Sequence, residues 1–193
     1  QALRTRTMWL LMFAISAQSM VATGLMFHQI SLLGDKGLSS AVAAGVFGVT
    51  APAMIIGQFA SGFLASKFSL RYMITVGQLF ITASVAVVFV ISASWHAFIY
   101  GAMLGFTIGF LMNSMLAIWP YYYGRKSLGS IRGVAQFANM AASAAGPLPL
   151  VEFFDTTSSY TGGLVVFLIV PLVCAVAAFS ATKPAVPARE ANP

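Results

Sequence analysis

The side chains that could do chemistry in this sequence are amides and imidazoles set within long apolar stretches. Gln18 and Gln29 lie eleven residues apart, about three helical turns, so they would share one helix face about 16 Å long. Polar groups are costly in hydrocarbon and tend to face a bundle interior or a wet cavity. The pattern therefore indicates a polar pathway through a membrane. Its candidate lining residues are Gln18, His28, Gln29, Gln58, Asn113, Gln136 and Asn139.

Each candidate has a second interpretation, as an interhelical hydrogen-bonding group worth about 0.6–2 kcal/mol. For His28, which lies near the end of its apolar stretch, the choice is between an interfacial hydrogen-bonding residue and a carrier of a coupled proton. The sequence leaves both interpretations open.

The same inventory argues against catalysis. An intramembrane serine protease needs a G-x-S-G motif with a histidine on a later helix, whereas residues 59–62 read FASG. No two acids fall within one apolar stretch, so neither a carboxylate pair nor a two-metal site can form there. Cys174 is the single cysteine and the chain has two histidines, too few for a zinc centre. We expect no enzymatic activity, no cofactor and no metal site.

The elements that must hold these residues follow from composition. Of the 193 residues, 59% are hydrophobic and 7% are charged, and the mean hydropathy is +0.89. Soluble domains carry about 25% charged residues, and a soluble fold of this size leaves about a third of its surface in water. The chain is therefore expected to be an integral membrane protein with the lipid bilayer as a partner. Its net charge of +6 comes from scattered Lys and Arg rather than a clustered basic face, so no nucleic-acid partner is expected.

Charge-free runs long enough to cross a bilayer predict an all-α protein with six transmembrane helices. The fifth run is the least hydrophobic, because it is rich in Ala and Ser, and this suits a helix packed against other helices. The first run has an alternative as a signal peptide, but it is longer than a signal sequence requires. The predicted spans are 8–31, 41–65, 71–93, 96–119, 131–150 and 161–181, in a domain of residues 1–182 followed by a cytoplasmic tail of residues 183–193.

The positions of the basic residues predict the topology. With six spans, nine of the ten Lys and Arg fall on one side of the membrane and only Lys36 falls on the other. We therefore expect both termini in the cytoplasm and the protein in a cell membrane, the inner membrane of a bacterium. The nine residues are Arg4, Arg6, Lys67, Arg71, Arg125, Lys126, Arg132, Lys183 and Arg189.

The predicted spans differ in polarity. The first, second, fourth and fifth carry the amides, whereas the sixth is almost entirely apolar and the third is intermediate. We therefore expect the former four to line the interior and the latter two to face lipid, with Leu168, Val173 and Val176 pointing outwards. In the fourth span two overlapping GxxxG units predict close helix packing. Their glycines are Gly101, Gly105 and Gly109.

Two loops on the basic side carry recognisable patterns. Residues 62–71 resemble the G-x-L-A-D-[RK]-x-G-[RK]-[RK] signature of the major facilitator superfamily, with Ser66, Ser69 and Leu70 departing from it. Residues 123–133 look like the Y-[FY]-G-R-x-x-x-G-x-x-R-G connection of monocarboxylate-porter-like and oxalate/formate-antiporter-like members. The residues that carry these matches are Gly62, Leu64, Ala65, Lys67, Arg71, Tyr123, Gly124, Arg125, Gly129, Arg132 and Gly133.

The resemblance implies one half of a major-facilitator-type bundle, helices seven to twelve, and the start at Gln1 rather than Met supports this expectation. It also implies a secondary transporter of a small solute, such as a monocarboxylate, with or without a proton, that works by alternating access against a missing N-terminal six-helix half. The basic residues that hold the carboxylate in such members have no counterpart in 41–65 or 133–150. A non-transporting six-span subunit or assembly factor is the alternative.

Overall fold

A computed structural model describes residues 5–124 and 128–182 of the chain. Within these ranges every regular element is an α-helix and there is no strand. The helices are α1 (Arg6–Asp35), α2 (Ser40–Ala65), α3 (Leu70–Phe89), α4 (Ser94–Tyr123), α5 (Leu128–Ala145), α6 (Leu148–Thr157) and α7 (Thr161–Ser180). The first two start at hydroxyl caps, because Thr5 and Ser39 accept hydrogen bonds from the backbone N–H of Met8 and Val42.

Five of the helices are long and apolar enough to cross a membrane: α1, α2, α3, α4 and α7. This is consistent with an integral membrane protein. α5 reaches 18 residues but is less apolar than the other five, and α6 has only 10. The structure thus shows five membrane-length helices in its described part where the sequence predicts six spans.

The predicted fifth span, 131–150, is not one helix in the structure. α5 ends at Ala145 and α6 begins at Leu148. The break falls where Pro147 lacks a backbone N–H and disfavours helical geometry at the residue before it. Gly146 also lies against α1, where a Cβ atom would overlap the carbonyl oxygen of Met20. The other predicted spans coincide with helices, although α1 and α4 are longer than predicted and α3 ends earlier, at Phe89.

The α2–α4 pair is the closest packed. A Cβ atom on Gly105 would overlap the carbonyl oxygen of Thr50, and one on Gly109 would overlap that of Met54. Backbones therefore touch along this line. The hydroxyls of Ser61 and Ser114 share a hydrogen bond of 3.2 Å further along the same contact. These two helices are in direct backbone contact.

The helix packing has an internal symmetry. α1 and α4 both have 30 residues, and α3 and α7 both have 20. α2 has 26 residues, and the corresponding place between α4 and α7 is taken by α5 with 18 and α6 with 10. The main contacts are kept when α1 exchanges with α4, α2 with α5 and α3 with α7. α2 packs on α4 as α5 packs on α1, and α3 packs on α4 as α7 packs on α1. The same exchange leaves two contacts unchanged, because it swaps the two partners of the α3–α7 contact and the two partners of the α1–α4 contact.

Charge is segregated between the two ends of the bundle. Hydrogen bonds join Thr5 to Tyr123 and Tyr122 to Ala181, so the start of α1 meets the ends of α4 and α7. We call this the basic end, because among the described residues it carries Arg6, Lys67, Arg71 and Arg132. The opposite, acidic end carries Asp35, Lys36, Glu152 and Asp155. Arg4, Arg125, Lys126, Lys183, Arg189 and the predicted tail of residues 183–193 lie outside the described residues.

Candidate functional site

A groove follows α5 along its contact with α1 and α4. Towards the acidic end it holds a cavity of about 430 Å³, and towards the basic end one of about 480 Å³. Gln136 and Asn139 line both cavities, so the two adjoin along α5, and we call them together the α5 groove. The first is also lined by Thr23, Phe27, Met140, Ser143, Ala144 and Pro147, and the second by Ile15, Met112, Met115, Leu116, Trp119, Arg132, Gly133 and Ala135.

One polar stripe of α5 faces this groove. Arg132, Gln136, Asn139 and Ser143 follow one another at intervals of four, three and four residues, which places them on a single helix face. A solute in the groove would therefore meet a guanidinium, two amides and a hydroxyl in succession. Such convergent polar groups in a mostly apolar cleft are typical of small-molecule sites.

α1 holds part of this stripe in place. The hydroxyl of Ser19 donates to Oδ1 of Asn139 at 2.5 Å, and the hydroxyls of Thr23 and Ser143 share a hydrogen bond of 2.7 Å. Within the described part of the chain, the amide of Gln136 has no protein partner and is exposed. Gln136 is thus the groove amide that is free to bind a solute, whereas Asn139 is fixed by α1.

The apolar wall of the groove comes mainly from α4. Trp119 is buried and Met112 is half exposed, and the exposure of Met115 is intermediate between those of the other two. The sequence does not identify these residues as groove lining, because large apolar side chains at helical spacing also describe a lipid-facing or packed helix. Only the position of α5 relative to α4 separates the groove wall from the rest.

Arg132 lies on α5, within the predicted span 131–150, although it is also part of the 123–133 loop motif. α5 begins at Leu128, four residues before it. Its guanidinium therefore lines the groove one turn before Gln136. Among the described lining residues it is the one charged side chain, and none is acidic. Extending the polar spacing of Gln136 and Asn139 by one turn would have identified it.

Gln58 and Asn113 lie at the α2–α4 contact. Nδ2 of Asn113 donates to the backbone carbonyl of Gln58 at 2.8 Å, and Nε2 of Gln58 lies 3.6 Å from the sulfur of Met112. Both are half-buried. They adjoin the groove through Met112 but do not line it.

The two amides of α1 are buried away from the groove. Gln18 is 5% exposed and Gln29 is fully buried. Nε2 of Gln29 donates to the carbonyl oxygen of Ala43 at 3.0 Å, which ties α1 to α2. Its Oε1 has no hydrogen-bond partner among the described residues. The geometry of Gln29 is that of an interhelical hydrogen-bonding group.

His28 lies at the acidic end, next to α7. Its ring centroid is 5.9 Å from that of Tyr160, which stacks on Phe154 at 4.6 Å. Nε2 of His28 is buried without a hydrogen-bond partner in the described part of the chain. The neighbouring Phe27 lines the α5 groove, but His28 does not.

The remaining predicted residues lie at the surface or in helix contacts. On α7, Val173 and Val176 are exposed, whereas Leu168 is half-buried against the core. In the loop motifs, Lys67 lies over the ring of Phe63, and Arg71 donates to the Tyr72 hydroxyl at 2.7 Å. The glycines Gly101, Gly105 and Gly109 face α2, Gly62 is open, Gly133 lines the groove, and Gly124 ends α4 with a φ of 70°. Arg125 lies outside the described residues.

Comparison with known proteins identifies no relative of this chain. The sequence matches no family model and no curated protein.

Proposed function

We propose that this chain forms one six-span half of a secondary transporter that moves a small solute by alternating access. The observation that carries the proposal is the exchange symmetry of the packing, in which α1–α3 correspond to α4–α7. Inverted repeats of three spans occur within the halves of major facilitator transporters. The motif resemblance of residues 62–71 and 123–133 supports the same family.

The symmetry is of the inverted kind if α5 and α6 together make one crossing. Successive spans alternate in direction, so α4, the third span after α1, runs opposite to it. Transporters built on inverted repeats place the substrate at the repeat interface. The position of the α5 groove supports the proposal, because α1 comes from the first repeat while α4 and α5 come from the second.

The chemistry of the groove favours a small organic anion such as a monocarboxylate. Arg132 offers a planar guanidinium suited to a carboxylate, and the free amide of Gln136 lies one turn away. A carboxylate bound there would meet no acidic neighbour among the described lining residues. The apolar wall of Trp119 and Met115 would accept the hydrocarbon part of the solute.

A second six-helix unit is the partner that we propose for the open side of the groove. Phe137, on the helix that carries the polar stripe, is 76% exposed, and Phe27 of α1 is 75% exposed. In the proposed orientation the basic end faces the cytoplasm, in accord with the positive-inside rule. The groove would then open alternately to the two sides between the units.

Uptake of radiolabelled monocarboxylates into vesicles that contain the complete transporter tests this proposal. We expect saturable uptake that falls at least tenfold in Gln136→Leu and stays near the parental rate in Val176→Leu, which alters an exposed residue of α7. Equal uptake by Gln136→Leu and the parent would contradict the assignment of the groove. No saturable uptake of anionic, neutral or cationic solutes would favour the non-transporting subunit instead.

A further inference from the structure

Pro120 leaves one carbonyl of α4 without its helical donor. In an α-helix the carbonyl oxygen of a residue accepts from the N–H four positions later, and proline has no N–H. Pro120 lies inside α4, so the orphan carbonyl is that of Leu116. In the hydrocarbon of a bilayer an unsatisfied backbone group costs several kcal/mol, so the carbonyl of Leu116 needs a donor from another part of the protein or from water in the groove.

Arg132 supplies the missing donor from the next helix. Its Nη2 donates to the carbonyl oxygen of Leu116 at 2.6 Å. This bond links α5 to α4 at the point where α4 lacks its own bond. The guanidinium has further N–H groups, so a single bond to Leu116 leaves it able to face the groove.

Three other helices meet α4 within about one helical turn on either side of Pro120. The hydroxyl of Tyr122 donates to the carbonyl oxygen of Ala181, next to α7, at 3.0 Å. The hydroxyls of Tyr123 and Thr5, which caps α1, share a hydrogen bond of 2.8 Å. The bond from Arg132 adds α5. Movement at the proline would therefore change how α1, α5 and α7 meet at the basic end.

We propose that Arg132 is a detachable tether, which closes the basic end of the α5 groove by giving Leu116 the hydrogen bond that Pro120 removes. Both tethered residues line the groove, so the bond spans it from α5 to α4. Arg132 is exposed, so water or a solute in the groove can reach the guanidinium and compete for it. That Arg132 replaces the helical hydrogen bond of Leu116 follows from the geometry alone. That this bond closes the groove rests on the proposed transport function.

A double-mutant cycle tests the hydrogen-bond replacement. Arg132→Met keeps an unbranched apolar stem but removes the N–H donors, and it should lower the folding equilibrium constant about tenfold or more, as measured by denaturant titration in detergent. Pro120→Ala restores the N–H within α4, so Arg132→Met should then cost less than about threefold. Arg132→Lys, which keeps a donor, should fall between Arg132→Met and the parent.

Arg6→Met is the matched control, because it removes one exposed positive charge from the same end of the bundle. Arg6→Met should change the folding equilibrium constant by the same factor whether residue 120 is proline or alanine. A cost of Arg132→Met that is the same in both backgrounds would overturn the replacement of the helical hydrogen bond.

Thiol labelling tests the closure independently of transport. Met115→Cys places a reactive group in the groove, in a background where the buried Cys174 is changed to Ala. We expect Arg132→Met to raise the rate of labelling from the basic side severalfold. Adding Pro120→Ala should restore stability but leave labelling fast, because the link to α5 is still missing. A labelling rate that Arg132→Met does not change would overturn the closure, whatever the uptake assay shows.

Discussion

At the scale of single residues, Gln136 and Asn139 allow binding to be separated from structure. Both line the α5 groove, but among the described residues only Asn139 has a hydrogen-bond partner, Ser19. We predict that Gln136→Ala lowers the initial uptake rate about tenfold while the free energy of unfolding changes by less than about 0.5 kcal/mol. Asn139→Ala should lower both, with a loss of stability of about 1 kcal/mol. Uptake in vesicles and thermal unfolding in detergent measure the two effects.

Ser19→Ala provides the control for this pair. It removes the same hydrogen bond from the α1 side, so combined with Asn139→Ala it should cost little more stability than Asn139→Ala alone. A loss of stability in Gln136→Ala equal to that in Asn139→Ala would show that Gln136 is a structural residue.

The residues also show how far sequence reasoning reaches. The helical spacing of Gln136 and Asn139 indicates a shared polar face, and the structure places both on one groove. The spacing cannot show that Gln29 would donate a hydrogen bond to a carbonyl of α2, since an amide within an apolar helix can either line a pathway or join two helices. The hydrogen bond from Arg132 to Leu116 could not be predicted from the spacing either, because it depends on a proline in another helix.

At the scale of helices, the α2–α4 contact depends on glycine. A Cβ atom on Gly105 would overlap the backbone oxygen of Thr50, which cannot move without shifting α2. We predict that Gly105→Ala destabilises the protein by about 1–3 kcal/mol. Gly48→Ala is the control: nothing lies within 4 Å of its Cβ position, so it should gain roughly 0.5–1 kcal/mol from reduced backbone entropy. Denaturant titration in detergent compares the two; equal effects would contradict a backbone-to-backbone contact.

The helix boundaries divide into those that hydropathy can predict and those that it cannot. Five of the predicted spans are apolar enough to be identified from composition, and each coincides with a long helix. The run from 131 to 150 carries too little hydrophobicity for that, and its end depends on Gly146 and Pro147. A proline alone does not decide the outcome, because α2, α4 and α7 each continue past one. At Gly146 the contact with Met20 of α1 adds a constraint that only the folded bundle supplies.

At the scale of the whole molecule, the segregated charges make the orientation testable. Ser66 is exposed near the basic end and Thr156 near the acidic end. Because positive charge is retained in the cytoplasm, we predict that an impermeant thiol reagent added to intact cells labels Thr156→Cys and not Ser66→Cys. Cys174 is buried and gives a low background. Both variants should react after lysis, and labelling of Ser66→Cys in intact cells would reverse the proposed orientation.

The open side of the groove predicts that residues 1–193 alone do not transport. Gln136 has no protein partner within the described residues and Phe137 beside it is 76% exposed, so in isolation this face meets lipid. A polar group left unsatisfied in hydrocarbon costs several kcal/mol, and alternating access needs a second unit against which this one can rock. We therefore expect liposomes that contain this chain alone to show no saturable monocarboxylate uptake.

The same exposed face should make the chain associate with the proposed second unit or, when that unit is absent, with itself. Crosslinking of Phe137→Cys in lipid should exceed that of Val176→Cys, since Phe137 lies on the groove helix and Val176 on the outer face of α7. Supplying the partner six-helix unit should suppress the Phe137→Cys crosslink and bring uptake with it. Saturable uptake by the chain alone, with the strong Phe137→Cys crosslink retained, would instead identify a homodimeric transporter in which a second copy of this bundle closes the groove.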